Sequence, residues 1–187
     1  IGESLLPQAM TWLEEAGGLQ DVVEAGFQYK NGAAFRWGEA EEVFDFRDKS
    51  SEGWGTTYQV RRDRFDLLLA EAAQRKGISV RFGESVVGMC PSAERPTLQV
   101  RDASGVEREI QARFVLDASG FGRVLARTLS LDKPAASPQR TAIFTHVRDQ
   151  HPFGVYDRNK ILISINEADP AIWYWMIPLA EGLVSVG

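Results

Sequence analysis

Residues 63–82, DRFDLLLAEAAQRKGISVRF, decide the kind of fold. The first fourteen predict a helix. Asp63 stands where an N-cap belongs, and Lys76-Gly77 supply a basic last turn and a C-cap. ISVRF (78–82) then reads as a strand, with almost no join. A helix running straight into a strand is the second half of an α/β crossover.

On the C-terminal side, VVGMC, TLQVRD and VEREIQA (86–112) read as a three-stranded antiparallel meander with polar turns. ARFVLDASG (112–120) reads as a buried strand running into a Ser-Gly turn, and 128–140 as a Pro-containing linker. Strands are expected at 141–148, 160–166, 171–179 and 183–186. On the N-terminal side, Leu5, Leu6, Met10 and Leu13 share a helical face over 5–16, stopped by Gly17-Gly18. A short helix over 19–24 follows. Ala33, Phe35 and Trp37 alternate with Ala34 and Arg36, residues 42–47 alternate again, and Gly38-Glu39-Ala40 between them reads as a hairpin turn.

Composition is that of an ordinary globular chain, 44% hydrophobic and 25% charged over 187 residues. A net charge of −5 argues against nucleic acid or an anionic membrane as partner. The single cysteine, Cys90, rules out an internal disulfide and a Cys-rich metal site, and reads as a small packed residue. No apolar run reaches the roughly 18 residues of a spanning helix, and no leader opens the chain, so a reducing, cytoplasmic setting is the default. The chain opens Ile1-Gly2-Glu3 and stops inside a strand at Gly187, which reads as an internal piece of a longer protein.

Taken singly, the chemical signals have ordinary readings. Trp173-Tyr174-Trp175 suits a packing stripe on a strand. Lys30 reads as a solvated charge. DASGFGR (117–123) is either a plain turn or a close backbone approach to phosphate or ribose. His146 and His151 lack a carboxylate or cysteine ligand set nearby in sequence, so no metal is implied. Arg61, Asp63 and Arg64 read as solvated.

Together they resemble the flavin-dependent halogenases, a branch of the FAD-dependent monooxygenase-type oxidoreductases. WYWMIP (173–178) fits that family's W-x-W-x-I-P signature through Trp173, Trp175, Ile177 and Pro178. IGESLLPQ resembles its G-E-S/A-x-x-P segment, GFQYKNGAAFRWG the segment carrying its active-site lysine, VRRDRFD its V-x-R-x-x-F-D segment, and LDASGFGR its D-x-S-G turn.

The resemblance implies a mixed α/β (α+β) fold: a partial FAD/NAD(P)-binding Rossmann-like domain with a β-meander (1–26 and 56–132), interleaved with an antiparallel β-sheet on the substrate side (27–55 and 133–187). It implies that a separate flavin reductase supplies reduced FAD (FADH2), that oxygen and halide give hypohalous acid, and that Lys30 handles this oxidant. The substrate implied is a phenol, pyrrole or indole, free or tethered to a carrier protein. Trp173, Trp175, Ile177 and Pro178 would part flavin from substrate. Glu3, Ser4, Arg62, Val86, Val87, Asp117, Ser119 and Gly120 would contact FAD. The family's G-x-G-x-x-G turn and its later G-D segment do not occur in these residues, so the chain alone is expected to bind FAD poorly. Monooxygenases and geranylgeranyl reductases share several of these features without the paired tryptophans, and a piece with no activity of its own is a further reading.

Overall fold

Pro7 sets the first elements. Residues 3–5 run extended beside a later strand, with Leu5 N–H donating to the Tyr58 carbonyl at 3.1 Å. The helix expected over 5–16 therefore shortens to α1, Gln8–Glu15, with Pro7 at its cap, where a missing N–H costs nothing. Gly17 (φ +62°) ends it, and α2 spans Leu19–Glu24. The long helix forms as α3, Arg62–Arg75. Asp63 does not cap it as expected: it lies inside the first turn, and its carboxylate pairs with Arg61 at 2.5 Å. Met10, Leu13, Val22, Phe27, Val60 and Phe65 form the core between these helices.

The computed structural model describes residues 2–92, 94–134, 138–150 and 156–187; His151 lies outside them. Its strands are β1 (Gln28–Lys30), β2 (Gly32–Trp37), β3 (Ala40–Asp45), β4 (Thr57–Gln59), β5 (Ser85–Cys90), β6 (Thr97–Arg101), β7 (Glu107–Gln111), β8 (Thr145–Arg148), β9 (Lys160–Ile165), β10 (Trp173–Pro178) and β11 (Leu183–Val186). A short helix, α4, spans Val124–Thr128. The chain divides into two compact units, Ile1–Ile78 with Thr141–Gly187, and Ser79–Arg140. The cofactor and substrate parts named above are functional divisions, and compactness follows a different line.

In the first unit, β1 and β4 make an antiparallel ribbon, with Lys30 opposite Thr57 and Gln28 opposite Gln59. The larger sheet has the order β3-β2-β9-β10-β11-β8. It is mixed, not purely antiparallel as expected, because β9 runs parallel to β2. Asn31 N–H donates to Asn159 O at 2.9 Å, so β9 enters beside the start of β2 and both strands leave the same edge together. Parallel neighbours need a long connection, and everything between β3 and β9 supplies it. The β2–β3 hairpin turns at Gly38 (φ +59°), where the sequence places it.

In the second unit, β5, β6 and β7 form the expected meander, with a bulge between Val86 and Gly88. The strands expected at 78–82 and 112–120 do not form. Neither stretch finds a neighbouring strand among the described residues, and a strand exists through its ladder. Ile78, Phe82, Phe114 and Leu116 are consequently exposed. Cys90 is exposed too, at the end of an edge strand, and not packed. No helix among the described residues is long and apolar enough to cross a membrane, and no group of three potential metal ligands occurs among them.

Candidate functional site

Lys30 ends β1, where the chain leaves the ribbon and enters the large sheet. It is not the solvated charge that its surroundings in sequence suggest: only 2% of the residue is exposed. Its ammonium donates to the Leu5 carbonyl at 2.8 Å and lies 5.1 Å from the centre of the Phe46 ring. Burial lowers its pKa from 10.5 to about 8, because desolvation disfavours the charged form. Lys160 shows the ordinary alternative. Also buried, it reaches Asp157 at 2.6 Å and the Asn31 side chain at 3.0 Å. Lys30 has no such carboxylate among the described residues.

The segment around Glu3 flanks β4. Val60 N–H donates to Glu3 O at 2.7 Å, and Ser4 stands opposite Gln59. Glu3 is buried, and its carboxylate accepts from His146 Nε2 at 2.6 Å. His146 thus has in the fold a carboxylate partner that is not near it in sequence. The two residues are 143 positions apart, and only the docking of β8 at the sheet edge joins them. Arg62 binds Asp66 one turn on, through Nε at 2.8 Å. A side chain at Gly2 (φ +83°) would meet the Arg62 guanidinium at 2.8 Å, so Glu3, Ser4 and Arg62 belong to one locality.

The tryptophans follow from strand alternation. Trp173, Trp175 and Ile177 share one face of β10, and Tyr174 and Met176 the other. Trp173 and Trp175 are in contact at 5.8 Å between ring centres, and Phe144 extends the row at 6.2 Å from Trp175. Trp175 Nε1 donates to the buried Ser185 hydroxyl at 3.3 Å. Ser185 stands between Ile177 and His146 in the sheet. One row therefore links Trp175, through Ser185 and His146, to Glu3. Ile177 and Pro178 are buried and anchor the strand, while Trp173 is exposed.

The remaining candidates lie in the second unit. Val86, Asp117 and Ser119 line a cleft of about 400 Å³ with Leu98, Leu116 and Leu125. Val87, at the bulge, is exposed and does not line it. The Asp117 carboxylate accepts from Ser119 N–H and Leu125 N–H, each at 2.9 Å, and the Ser119 hydroxyl accepts from Val124 N–H at 2.9 Å. These two side chains thus satisfy the opening N–H groups of α4. The Ser119 hydroxyl first, then the N–H groups of Ser119 and Leu125, hold the Asp117 carboxyl below its ordinary range. Gly120 (φ +55°) has open space where a Cβ would stand, which suits close backbone approach by a ligand. The cleft lies toward the small end of ligand sites, so in size and lining it fits part of a dinucleotide such as FAD, not all of it.

Sequence reasoning missed Thr57 and Gln59 as well as His146. Both are fully buried polar residues facing the side of Lys30. Their spacing of two in T-Y-Q was a signal for one shared face, but nothing local says what that face meets.

The FAD binding domain family matches residues 2–182. The chain is 28% identical over 190 aligned residues to a tryptophan 2-halogenase of Chondromyces crocatus, covering all of this chain and 35% of that protein. Among solved structures, a flavoprotein/dehydrogenase from Cytophaga hutchinsonii superposes with a TM-score of 0.92 at 41% identity, covering all of this chain and 45% of that one. The myxobacterial chondrochloren halogenase CndH superposes with a TM-score of 0.75 at 28% identity, over all of this chain and 43% of that one. The chain thus spans less than half the length of these relatives, and its likeness to flavin-dependent halogenases, though distant, runs from end to end.

Proposed function

This chain belongs to the FAD binding domain family, and from that premise we propose that it is part of a flavin-dependent halogenase acting on an aromatic substrate. The observation that carries the reading is Lys30: a buried ammonium, held by a carbonyl and a ring and not by a carboxylate. A salt bridge would have neutralised its chemistry. Held this way, it exchanges between ammonium and amine near neutral pH, donating to an oxygen atom in one form and offering a lone pair in the other. Reduced FAD, when bound, would supply the electrons with which O2 turns halide into hypohalous acid. Lys30 receives and directs that oxidant. The Trp173–Trp175 row forms an apolar wall that keeps water and bulky substrate from the flavin. Within the first unit Glu3 and Arg62 are groups that FAD would meet, and within the second Val86, Ser119 and Gly120 are. Asp117 serves that turn indirectly, by fixing its shape.

The test uses the full-length protein with FAD, a flavin reductase, NADH and O2 on a panel of indoles, phenols and pyrroles. Products are read by mass in chloride, bromide and halide-free buffer. A halide-dependent mass shift with the matching isotope pattern is expected. Lys30→Ala should abolish it while FADH2 oxidation continues, and a halogenating Lys30→Ala protein would remove Lys30 from the role. A second reading, an FAD-dependent oxidoreductase without halogenation, is favoured by the 41% identity to the flavoprotein/dehydrogenase. Gain of one oxygen whatever the halide, or turnover with no halide dependence, would select it.

A further inference from the structure

The ribbon of β1 and β4 has two unlike faces. Tyr29 and Tyr58 occupy one, with Tyr29 exposed. Lys30, Thr57 and Gln59 occupy the other, along with Gln28, and the first three are among the most buried residues of the protein at 2%, 1% and 0% exposure. Ser4, opposite Gln59, joins this face. Three of its polar atoms, Ser4 Oγ, Thr57 Oγ1 and Gln59 Oε1, have no hydrogen-bond partner among the described residues. The amide of Gln59 is oriented by its other end, since Nε2 donates to Arg158 O at 3.1 Å. Burial without a partner costs about 1–3 kcal/mol for each such group, and three on one face beside a lysine are not scattered packing faults.

The chemistry of the four groups defines what would satisfy them. Gln59 Oε1 only accepts, so its partner must carry an O–H or N–H. Lys30 only donates while charged, so the same partner must offer a lone pair. The hydroxyls of Ser4 and Thr57 adapt to either. A bare halide ion cannot donate to Gln59, and neither can O2. We propose that Ser4, Thr57 and Gln59 form, with Lys30, a receiving site for a small neutral hydroxylic molecule, namely hypohalous acid, whose position water takes when the oxidant is absent. This rests on the halogenase reading and assigns to that reaction three binding residues besides the lysine.

Two measurements on the full-length protein test it. In a crystal structure, an ordered solvent molecule should lie within hydrogen-bonding distance of both Thr57 Oγ1 and Gln59 Oε1. Its absence, or both atoms satisfied by protein groups, overturns the proposal. In solution, Thr57→Val and Gln59→Met should lower the ratio of halogenated product to FADH2 oxidised by about five-fold, the worth of one hydrogen bond. A scavenger of free hypohalous acid should trap a matching excess, and Thr57→Ser, which keeps the hydroxyl, should restore the ratio. An unchanged ratio in folded Thr57→Val and Gln59→Met refutes the site. A wild-type protein that halogenates nothing refutes the halogenase reading instead, and the assignment of oxidant with it.

Discussion

Replacing Lys30 with methionine should make the protein more stable at neutral pH and less stable in strong alkali. The side chains are of similar length, so Met fills the same space. The lysine pKa falls from 10.5 to about 8 on folding, which at 1.36 kcal/mol per pH unit amounts to about 3 kcal/mol against the buried charge. The Phe46 ring, 5.1 Å away, returns about 0.5–1 kcal/mol to the charged form. Losing the hydrogen bond to Leu5 O takes about 1 kcal/mol from the variant at every pH. The variant should therefore lead by about 1–2 kcal/mol at pH 7. Below pH 8 both folded and unfolded lysine are protonated, and the difference is flat. Between pH 8 and 10.5 the unfolded chain binds more protons, so wild-type stability climbs with pH. Above 10.5 both states are neutral, the amine still donates to Leu5 O, and wild type should lead by about 1 kcal/mol. Urea denaturation of both proteins from pH 7 to 11 measures this, since other titrating groups cancel in the difference. A difference that stays constant across that range would refute the buried, carboxylate-free lysine and remove the main support for the proposed chemistry.

Two further changes probe the frame around the site. His146→Ala leaves the Glu3 carboxylate, 3% exposed, without its 2.6 Å partner, and should cost about 1–3 kcal/mol in the same denaturation assay; His146→Gln should recover part of it. Gly32→Ala places a Cβ into the Phe44 carbonyl across the β2–β3 pair, so it should cost about 2 kcal/mol or more and raise amide exchange along β3; unchanged exchange would show that β3 is not held at that register.

What the sequence disclosed and what it hid divide along physical lines. α3, the meander and the Gly38 hairpin were legible because each is specified by neighbours in the chain: an unbroken run of helix formers stopped at Gly77, alternation, and a turn residue. The strands expected at 78–82 and 112–120 failed because apolar runs such as FVL state a preference for burial but cannot provide the ladder that a strand needs. The parallel β2–β9 pair was hidden for the opposite reason. Each strand was visible, but their relative direction depends on where Asn159 meets Asn31. At the site, Lys30 was visible only through a resemblance, since a lone lysine is solvated far more often than buried. The Glu3–His146 pair was invisible and the Thr57–Gln59 face showed only as a spacing of two, because what each meets lies in distant segments.

The cost of Lys30 bears on how to read the whole ribbon. Domains are stable by about 5–15 kcal/mol, so a buried charge worth about 2–3 kcal/mol and three polar atoms without partners among the described residues are a large local cost. Packing offers an easy remedy. Leucine or methionine at 30, valine at 57 and methionine at 59 would fill similar volume and remove the buried charge and the unpartnered atoms, at the loss of the hydrogen bonds to Leu5 O and Arg158 O. The neighbouring core shows that the fold uses such residues freely: Val60 lies one position from Gln59 and is as completely buried. Buried polarity confined to one face of a two-stranded ribbon, beside a well-packed apolar core, is what a site looks like when its ligand, and not the fold, accounts for the residues.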